Sequence, residues 1–240
     1  MRKDNRPYWV KRLHDIYQRA WVRHFLEPQF ESVGPHLDAG HPKYMTLHGP
    51  NISIGRCATL RATRAYPITF TVWTSSDREG RIDIGDYVLI SPGTRILSSD
   101  HVTIGDNTMI AGEVYVSDSD WHHVYDRTSE QDAHRPIVLQ KNVWLGYGVK
   151  VCKGVTIGEN SVIGAGAVVS KSIPANVIAA GNPARVVREL DPDREIRKRE
   201  DLYADPLALE AEMQQLERYF SRDNSLISWL RALVAPTKHD

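Results

Sequence analysis

Residues 139–169 read LQKNVWLGYGVKVCKGVTIGENSVIGAGAVV, and an aliphatic side chain recurs there at every sixth position. A period of six fits neither an α-helix, which repeats about every 3.6 residues, nor a long strand, which alternates about every two. It predicts a chain that turns a corner after each short strand, so that three sides close a coil of about eighteen residues and stacked coils bury the aliphatic column. The aliphatic positions are Leu139, Leu145, Val151, Ile157, Ile163 and Val169, and a small or β-branched residue follows four places later at Val143, Val149, Val155, Ser161 and Ala167.

The same pattern occurs earlier in the chain, which extends the predicted coil towards the N-terminus. It runs through Ile84, Ile90 and Ile96, then through Ile104, Ile110 and Val116, with a weaker start at Ile54 and Leu60. The eight-residue step from Ile96 to Ile104 predicts two extra residues at one corner. Corner sequences such as Gly105-Asp106-Asn107 and Gly158-Glu159-Asn160 suit turns with a positive φ. Regular spacing over six units disfavours an ordinary sandwich of short strands.

The composition is that of one ordinary globular protein. The chain has 240 residues, of which 41% are hydrophobic and 25% charged, and 30 Lys and Arg balance 30 Asp and Glu. A net charge near zero gives no general attraction to nucleic acid. The two cysteines predict no disulfide framework and suit a reducing compartment. Because neither an apolar leader nor a membrane-length apolar stretch is present, we expect a cytoplasmic protein.

The segments that flank the coil have helical periodicity. Apolar side chains predict one helix over residues 8–26 and another over residues 206–220, with Asp205 as its N-cap. A short apolar segment, residues 226–234, ends before Pro236. The expected organisation is an N-terminal helical extension over 1–50, a catalytic coil over 51–187 with a loop insert at 117–136, and a C-terminal helical extension over 188–240.

The N-terminal helix leaves two interpretations open. The first 24 residues contain seven Lys and Arg against two Asp and Glu, with Tyr8, Trp9 and Trp21 among them. We favour a helix that packs on the coil or on a neighbouring subunit. The alternative is peripheral contact with an anionic membrane.

The insert at 117–136 is the natural place for chemistry, because a monotonous solenoid carries its function in residues that leave the repeat. It contains the sequence Asp120-Trp121-His122-His123. Acyl transfer to a hydroxyl needs a base, and histidine is the side chain that titrates nearest neutrality. Asp118, Asp120 and Asp126 are candidate carboxylates to orient a histidine ring.

Residues 136–190 closely resemble the hexapeptide-repeat acyltransferases, especially the maltose, galactoside and colanic-acid O-acetyltransferases. The resemblance implies a mainly β fold, a left-handed parallel β-helix. It also implies a homotrimer that transfers an acetyl group from acetyl-CoA to a hydroxyl, or an amine, of a sugar-like acceptor without a metal. The motifs that carry it are KNVWLG at 141–146, GVTIG at 154–158, IGAGAVV at 163–169 and AGNPARV at 180–186.

The resemblance also assigns site residues. It makes a histidine of the insert the general base in a direct ternary-complex reaction, and we assign His122, with His123 in reserve and Asp120 beside them. The galactoside enzymes have histidine followed by proline at this place, so the insert departs from their pattern. Positions matching those that line the CoA site are Trp144, Ala165, Ser170, Lys171, Arg185 and Arg188. Arg185 and Arg188 also suit plain solvated positions.

Four alternatives use other chemistry or none. An acyl-cysteine route would need Cys57 or Cys152, and neither has a histidine close in sequence. A zinc hydratase of the γ-carbonic-anhydrase kind would need converging histidines, for which only His101, His122 and His123 are candidates. A non-catalytic trimeric scaffold would fail to bind CoA. Sugar-nucleotide uridylyltransferases need a large N-terminal domain that the first fifty residues cannot supply.

Overall fold

The computed structural model describes residues 4–75, 78–130 and 133–237. It divides into two compact units, one over residues 22–201 and the other over residues 1–21 and 202–240. The larger unit contains the described strands, and the smaller one contains the three α-helices. The predicted combination of a parallel β coil with helical extensions is confirmed.

Three parallel sheets form the faces of the coil, and successive strands pass from one face to the next. The first face contains Ser32–Val33, Ile52–Ile54, Arg81–Ile84, His101–Ile104, Ile137–Leu139 and Thr156–Ile157. The second contains Asp38–Gly40, Thr59–Arg61, Leu89–Ile90, Met109–Ile110, Trp144–Leu145, Val162–Ile163, Val177–Ala180 and, antiparallel to the last of these, Arg185–Glu189. The third contains Met45–His48, Ile68–Val72, Arg95–Ser98, Tyr115–Ser117, Lys150–Val151 and Val168–Val169, and a small hairpin pairs Thr74–Ser75 with Arg78–Glu79.

The strand register reproduces the predicted coil length. Leu139 pairs with Ile157, which lies eighteen residues later, whereas Ile84 pairs with Ile104, which lies twenty residues later. The two additional residues in the earlier coil are Ser99 and Asp100, at the corner that follows Arg95–Ser98. The predicted two-residue enlargement of this corner is confirmed.

The core of the larger unit is the predicted aliphatic column. The fourteen aliphatic residues of the hexapeptide pattern are buried, and none is more than 4% exposed. The small or β-branched residues four positions later are buried as well. Each strand contributes inward and outward side chains in alternation, so stacking the coils removes the apolar column from water.

The positive φ predicted for the two corner sequences is confirmed, and the asparagines rather than the glycines adopt it. The positive φ at these corners belongs to Asn107 and Asn160, at 63° and 62°. Gly158 is required by close packing instead, since a Cβ there would lie 2.2 Å from the backbone nitrogen of Ala175. The asparagine side chains form a ladder along the corner: Asn142 Nδ2 donates to Asn160 Oδ1 at 2.9 Å, and Asn160 Nδ2 to Asn176 Oδ1 at 2.8 Å.

The coil begins earlier than the predicted boundary at residue 51. Ser32–Val33 already pairs in parallel with Ser53–Ile54, and two further strands complete a coil before Ile52. The helical extension therefore does not reach residue 50. Ala39 and Met45 fill the interior of this first coil, and their departure from the strict aliphatic period explains why the sequence pattern did not include it.

The coil unit also extends beyond the predicted boundary at residue 187. The segment after Arg185–Glu189 returns along the corner between the first and second faces. Lys198 Nζ lies 3.5 Å from Glu159 Oε1, Arg199 Nε donates to the carbonyl oxygen of Tyr87 at 2.7 Å, and the backbone nitrogen of Glu200 donates to Asn107 Oδ1 at 2.8 Å. These contacts involve residues far apart in sequence, so periodicity could not predict them.

The smaller unit contains α1 (Tyr8–Trp21), α2 (Pro206–Phe220) and α3 (Leu226–Val234). The predicted bounds of α2 are confirmed, and Asp205 accepts hydrogen bonds from the backbone nitrogens of Leu207 and Ala208, as expected of an N-cap. The helix predicted over 8–26 continues after α1 as a π-helical turn, Val22–Leu26, followed by a 3₁₀ turn, Glu27–Gln29.

Large apolar side chains on these helices remain exposed. On α1 they are Trp9, Leu13, Ile16 and Tyr17. Both interpretations of the N-terminal helix, as a subunit contact or as a membrane contact, would use this exposed face. Within the described part of the chain, no helix has the length and apolar character to cross a bilayer.

Candidate active site

The insert leaves the coil at a single corner. It follows Tyr115–Ser117 on the third face and ends where Ile137–Leu139 begins on the first face. A backbone bridge between Ser119 and His134 closes its base. The loop predicted over 117–136 is thus irregular chain over the described residues 118–130 and 133–136, between two regular coils.

Asp118 anchors the insert to the corner beneath it. Its buried carboxylate accepts hydrogen bonds from Ser98 Oγ at 2.7 Å and from the backbone nitrogens of Ser99 and Asp100 at 2.8 and 3.0 Å. Burial raises the pKa of this carboxyl, and the hydrogen bonds only partly offset that effect. Asp118 is therefore a structural group, and its carboxylate is committed to the corner rather than to a histidine.

We expect Asp118→Asn to destabilise the protein by about 2 kcal/mol, because an amide replaces one of the two acceptor oxygens and turns a donor towards donors. The measurement is urea unfolding of both proteins. Asp126→Asn is the matched control, since its exposed carboxylate accepts from the backbone nitrogen and Oγ1 of Thr128, and we expect a change within about 0.5 kcal/mol.

The pH dependence gives the same prediction a second test. Because the pKa of Asp118 is raised on folding, its contribution to stability is present below the unfolded pKa and declines as the pH rises through the folded pKa. The amount by which Asp118→Asn lowers the free energy of unfolding should therefore be largest below the unfolded pKa and should decrease as the pH rises through the folded pKa. A difference that is zero, or independent of pH, would contradict the anchoring role.

The two adjacent histidines differ in their surroundings. His122 is exposed. His123 is held in the loop: its backbone nitrogen donates to the carbonyl oxygen of Ser129 at 2.8 Å, and its Nδ1 accepts from the backbone nitrogen of Asp126 at 3.2 Å. Because Nδ1 of His123 accepts this hydrogen bond, the proton of its neutral ring lies on Nε2, and neither ring nitrogen is free to accept a proton. His122 is therefore the more accessible of the two histidines.

The carboxylate predicted to assist these histidines lies elsewhere. Asp120 Oδ2 is 2.9 Å from Lys153 Nζ, on the next coil. Among the residues that the structure describes, neither His122 nor His123 has a hydrogen bond to a carboxylate. The predicted grouping of Asp120 with the histidines is therefore not formed within one chain.

Two other histidines lie beside carboxylates, and neither pair was predicted from the sequence. His101 Nε2 lies 2.7 Å from Asp83 Oδ2 on the first face. Burial alone would raise the pKa of Asp83, but hydrogen bonds from Arg81 and His101 hold it below its ordinary value. In the insert, His134 is 3% exposed and its Nε2 lies 3.4 Å from Glu130 Oε2, outside hydrogen-bond geometry. The separation of His101 and Asp83 by about one coil is the sequence signal that could have found the first pair.

The residues expected to line the CoA site lie on several sides of the coil. Trp144 is on the outward side of the second face and is 48% exposed. Arg185 and Arg188 are exposed on the antiparallel strand that extends this face. Ala165 lies at the corner between the second and third faces, whereas Ser170 and Lys171 lie at the corner between the third and first. One chain therefore brings Trp144, Ala165 and the arginines to one side, and the insert with Ser170 and Lys171 to another corner.

The two thiols are poorly suited to nucleophilic catalysis. Burial raises the pKa of Cys57, which is in the core, and of Cys152, whose pKa the charge of Asp120 raises further. The thiolate is the reactive form, so a raised pKa disfavours it. The zinc alternative needs a cluster of metal ligands. The described part of the chain contains no group of three or more His, Cys, Asp or Glu side chains that could hold a metal ion.

Similarity to known proteins supports the assignment of the coil as a hexapeptide repeat. The bacterial transferase hexapeptide family (six repeats) matches residues 136–171. The galactoside O-acetyltransferase of Escherichia coli is 50% identical over 92 residues, which are 38% of this chain and 45% of that protein. The galactoside O-acetyltransferase of Lactococcus lactis is 41% identical over 166 residues, which are 69% of this chain and 66% of that protein.

A solved structure shares the fold. A variant of AntD, an N-acyltransferase from Bacillus cereus in complex with dTDP and coenzyme A, aligns with a TM-score of 0.56 at 20% identity, over 79% of this chain and 96% of that one. The chain spans a little under half the length of the Escherichia coli relative and of a fission-yeast relative. Residues 136–171 therefore contain the bacterial transferase hexapeptide repeat, and the chain resembles the hexapeptide-repeat acetyltransferases.

Proposed function

We propose that the protein transfers an acetyl group from acetyl-CoA to a hydroxyl of a sugar-like acceptor, with His122 as the general base. The observation that carries the proposal is the exposed His122 on an insert that Asp118 fastens to a hexapeptide coil. The named activity of the galactoside O-acetyltransferases, which are similar to this chain, supplies the reaction class.

The chemistry requires two proton transfers and one displacement. His122 takes the proton of the acceptor hydroxyl as the hydroxyl oxygen attacks the thioester carbonyl. The tetrahedral intermediate then expels the CoA thiolate, which receives that proton from His122. Backbone N–H groups at the coil corners are suitable donors to the oxyanion. Holding both substrates together makes the attack effectively unimolecular. The raised pKa values of Cys57 and Cys152 favour this direct route over an acyl-cysteine.

The donor site would lie on the second face. Trp144 and Ala165 offer an apolar wall and backbone groups for the pantetheine arm, and Arg185 and Arg188 offer charge for phosphates. The insert lies at a different corner, so we propose a homotrimer in which the insert of one subunit, with its Ser170 and Lys171, faces the second face of the next. The two reduced thiols suit a cytoplasmic reaction.

Calorimetric titration of acetyl-CoA into the full chain tests the proposal. We expect a dissociation constant between about 1 μM and 1 mM, a trimer by light scattering, and release of the CoA thiol when methyl β-galactoside is added. The Cys57→Ala/Cys152→Ala double variant should keep this activity. No binding of acetyl-CoA at about 1 mM would reject the donor and favour the scaffold alternative, and loss of activity in the double variant would favour the acyl-cysteine route.

A further inference from the structure

Two tryptophans from different excursions of the coil meet at the corner that bears the insert. Trp73 directly follows the third-face strand Ile68–Val72, two coils before the insert, and Trp121 lies within the insert. Their ring centroids are 5.5 Å apart with the planes at 70°. We call Trp73 and Trp121 the tryptophan pair. A regular coil needs no such contact, since its core is already closed by the aliphatic column.

Trp121 is fixed from behind by its neighbours. Its indole meets the buried ring of His134 edge to face, with centroids 6.4 Å apart. Its backbone has a φ of 65°, which is uncommon for a bulky residue, and its nitrogen donates to Ser119 Oγ at 2.8 Å. The insert therefore holds this indole in one place.

Trp73 is held by the same corner. Its backbone nitrogen donates to the carbonyl oxygen of Ser98 at 2.8 Å, and the hydroxyl of Ser98 donates to the anchoring carboxylate of Asp118. Despite this support, the Trp73 side chain is 56% exposed. A large indole that is held in position and left in water is more informative than a scattered exposed aliphatic residue, because it offers a preformed aromatic surface to a ligand.

The side chains that flank Trp121 in the sequence are polar, and they indicate what that ligand is. Asp120, whose partly exposed carboxylate pairs with Lys153, precedes Trp121, and the exposed His122 follows it. The face of an indole is electron-rich and attracts polarised C–H groups, while a carboxylate accepts hydrogen bonds from hydroxyls. A pyranose ring has both features, an apolar face of C–H groups and a rim of hydroxyls.

We propose that Trp73, supported by Trp121, stacks on the pyranose ring of the acceptor and that this subsite holds a hydroxyl within reach of His122. The inference rests on the proposed function and adds the place where the sugar ring of the acceptor binds and the side chain that binds it. The ring is recognised whether it belongs to a free glycan or to a sugar nucleotide. Trp73 is a binding residue in this scheme and takes no proton.

Saturation-transfer NMR on the full chain tests the subsite. The probes are the methyl glycosides of glucose, galactose and N-acetylglucosamine, UDP-glucose, and uridine alone, each at about 10 mM to populate weak binding. We expect saturation to be strongest at the C–H protons of one ring face. Trp73→Ala should weaken binding about tenfold, whereas Trp73→Phe should retain most of it. Trp9→Ala, which alters an exposed tryptophan of the other unit, is the matched control and should change nothing.

Measuring acetyl-CoA binding as well as sugar binding distinguishes failure of the sugar subsite from failure of the proposed acetyl donor. Acetyl-CoA is titrated into the same samples, and its affinity should be equal in all variants. No saturation of any sugar ring, undiminished saturation in a folded Trp73→Ala protein, or saturation by uridine equal to that of UDP-glucose would overturn the subsite. Sugar binding that depends on Trp73 without any acetyl-CoA binding would support the subsite and reject the acetyl donor. A preference for UDP-glucose over the methyl glycosides would identify the source as a sugar nucleotide.

Discussion

His122→Ala should lower turnover by a factor of about 10² to 10⁴, the usual contribution of a positioned general base. Acetyl-CoA should bind the variant about as well as the parent protein, because His122 acts on the acceptor hydroxyl. The measurement is steady-state release of the CoA thiol with a methyl galactoside, together with calorimetric titration of acetyl-CoA. A loss confined to turnover would indicate an interaction made only in the transition state.

Neighbouring histidines supply the controls. His123→Ala should cost less than His122→Ala, since the backbone of His123 keeps its bond to Ser129 while only its ring contact with Asp126 is lost. Added imidazole should restore part of the activity of His122→Ala. Parental turnover in His122→Ala would move the base to another histidine, and His101, which Asp83 orients, would then be the first to test.

Ile157→Ala should destabilise the protein by about 2–5 kcal/mol, the range for removing a fully buried aliphatic side chain from a packed core. Ile157 is completely buried, and its strand pairs with Leu139 below and with Ile173 above. Since each coil contacts only its neighbours, the cavity would weaken two interfaces at once. Urea unfolding at fixed protein concentration measures the effect, because association makes apparent stability depend on concentration.

Thr156→Ala is the matched control, on the outward side of the same two-residue strand. We expect a change of less than about 1 kcal/mol, since the substitution leaves the interior column unchanged. Equal effects of the two substitutions would show that the strand itself, rather than the aliphatic column, sets the stability of the coil.

The coil was predictable because its pattern is local and repeated. Burial at every sixth residue identified Leu145, Ile157 and Ile163 without reference to distant contacts, and the step from Ile96 to Ile104 located the enlarged corner. The first coil escaped prediction because its interior includes Ala39 and Met45, which do not continue the strict aliphatic period. The spacing does not determine the handedness of the coil, and the left-handed prediction came from the family resemblance alone.

The candidate site was predictable only as a region. The break in the repeat located the insert and its histidines, since residues out of register stand out in a periodic sequence. The partner of Asp120 did not follow, because Lys153 lies on the next coil. Nor did the contact of Trp73 with Trp121, which joins two excursions separated by a regular coil.

The sequence alone determines the hexapeptide period, the buried column and the position of the insert. Every coil must bury side chains at equivalent positions, so the sequence repeats the same apolar pattern in each coil. The neighbours of Asp118, Asp120 and Trp73 follow only from the folded chain. These side chains are outside the repeat, so their contacts depend on how the corners align in space and on the conformation of each side chain. That is why the sequence predicts a coil with a loop for chemistry, and the folded coil specifies which of its groups are anchors and which are free to meet a substrate.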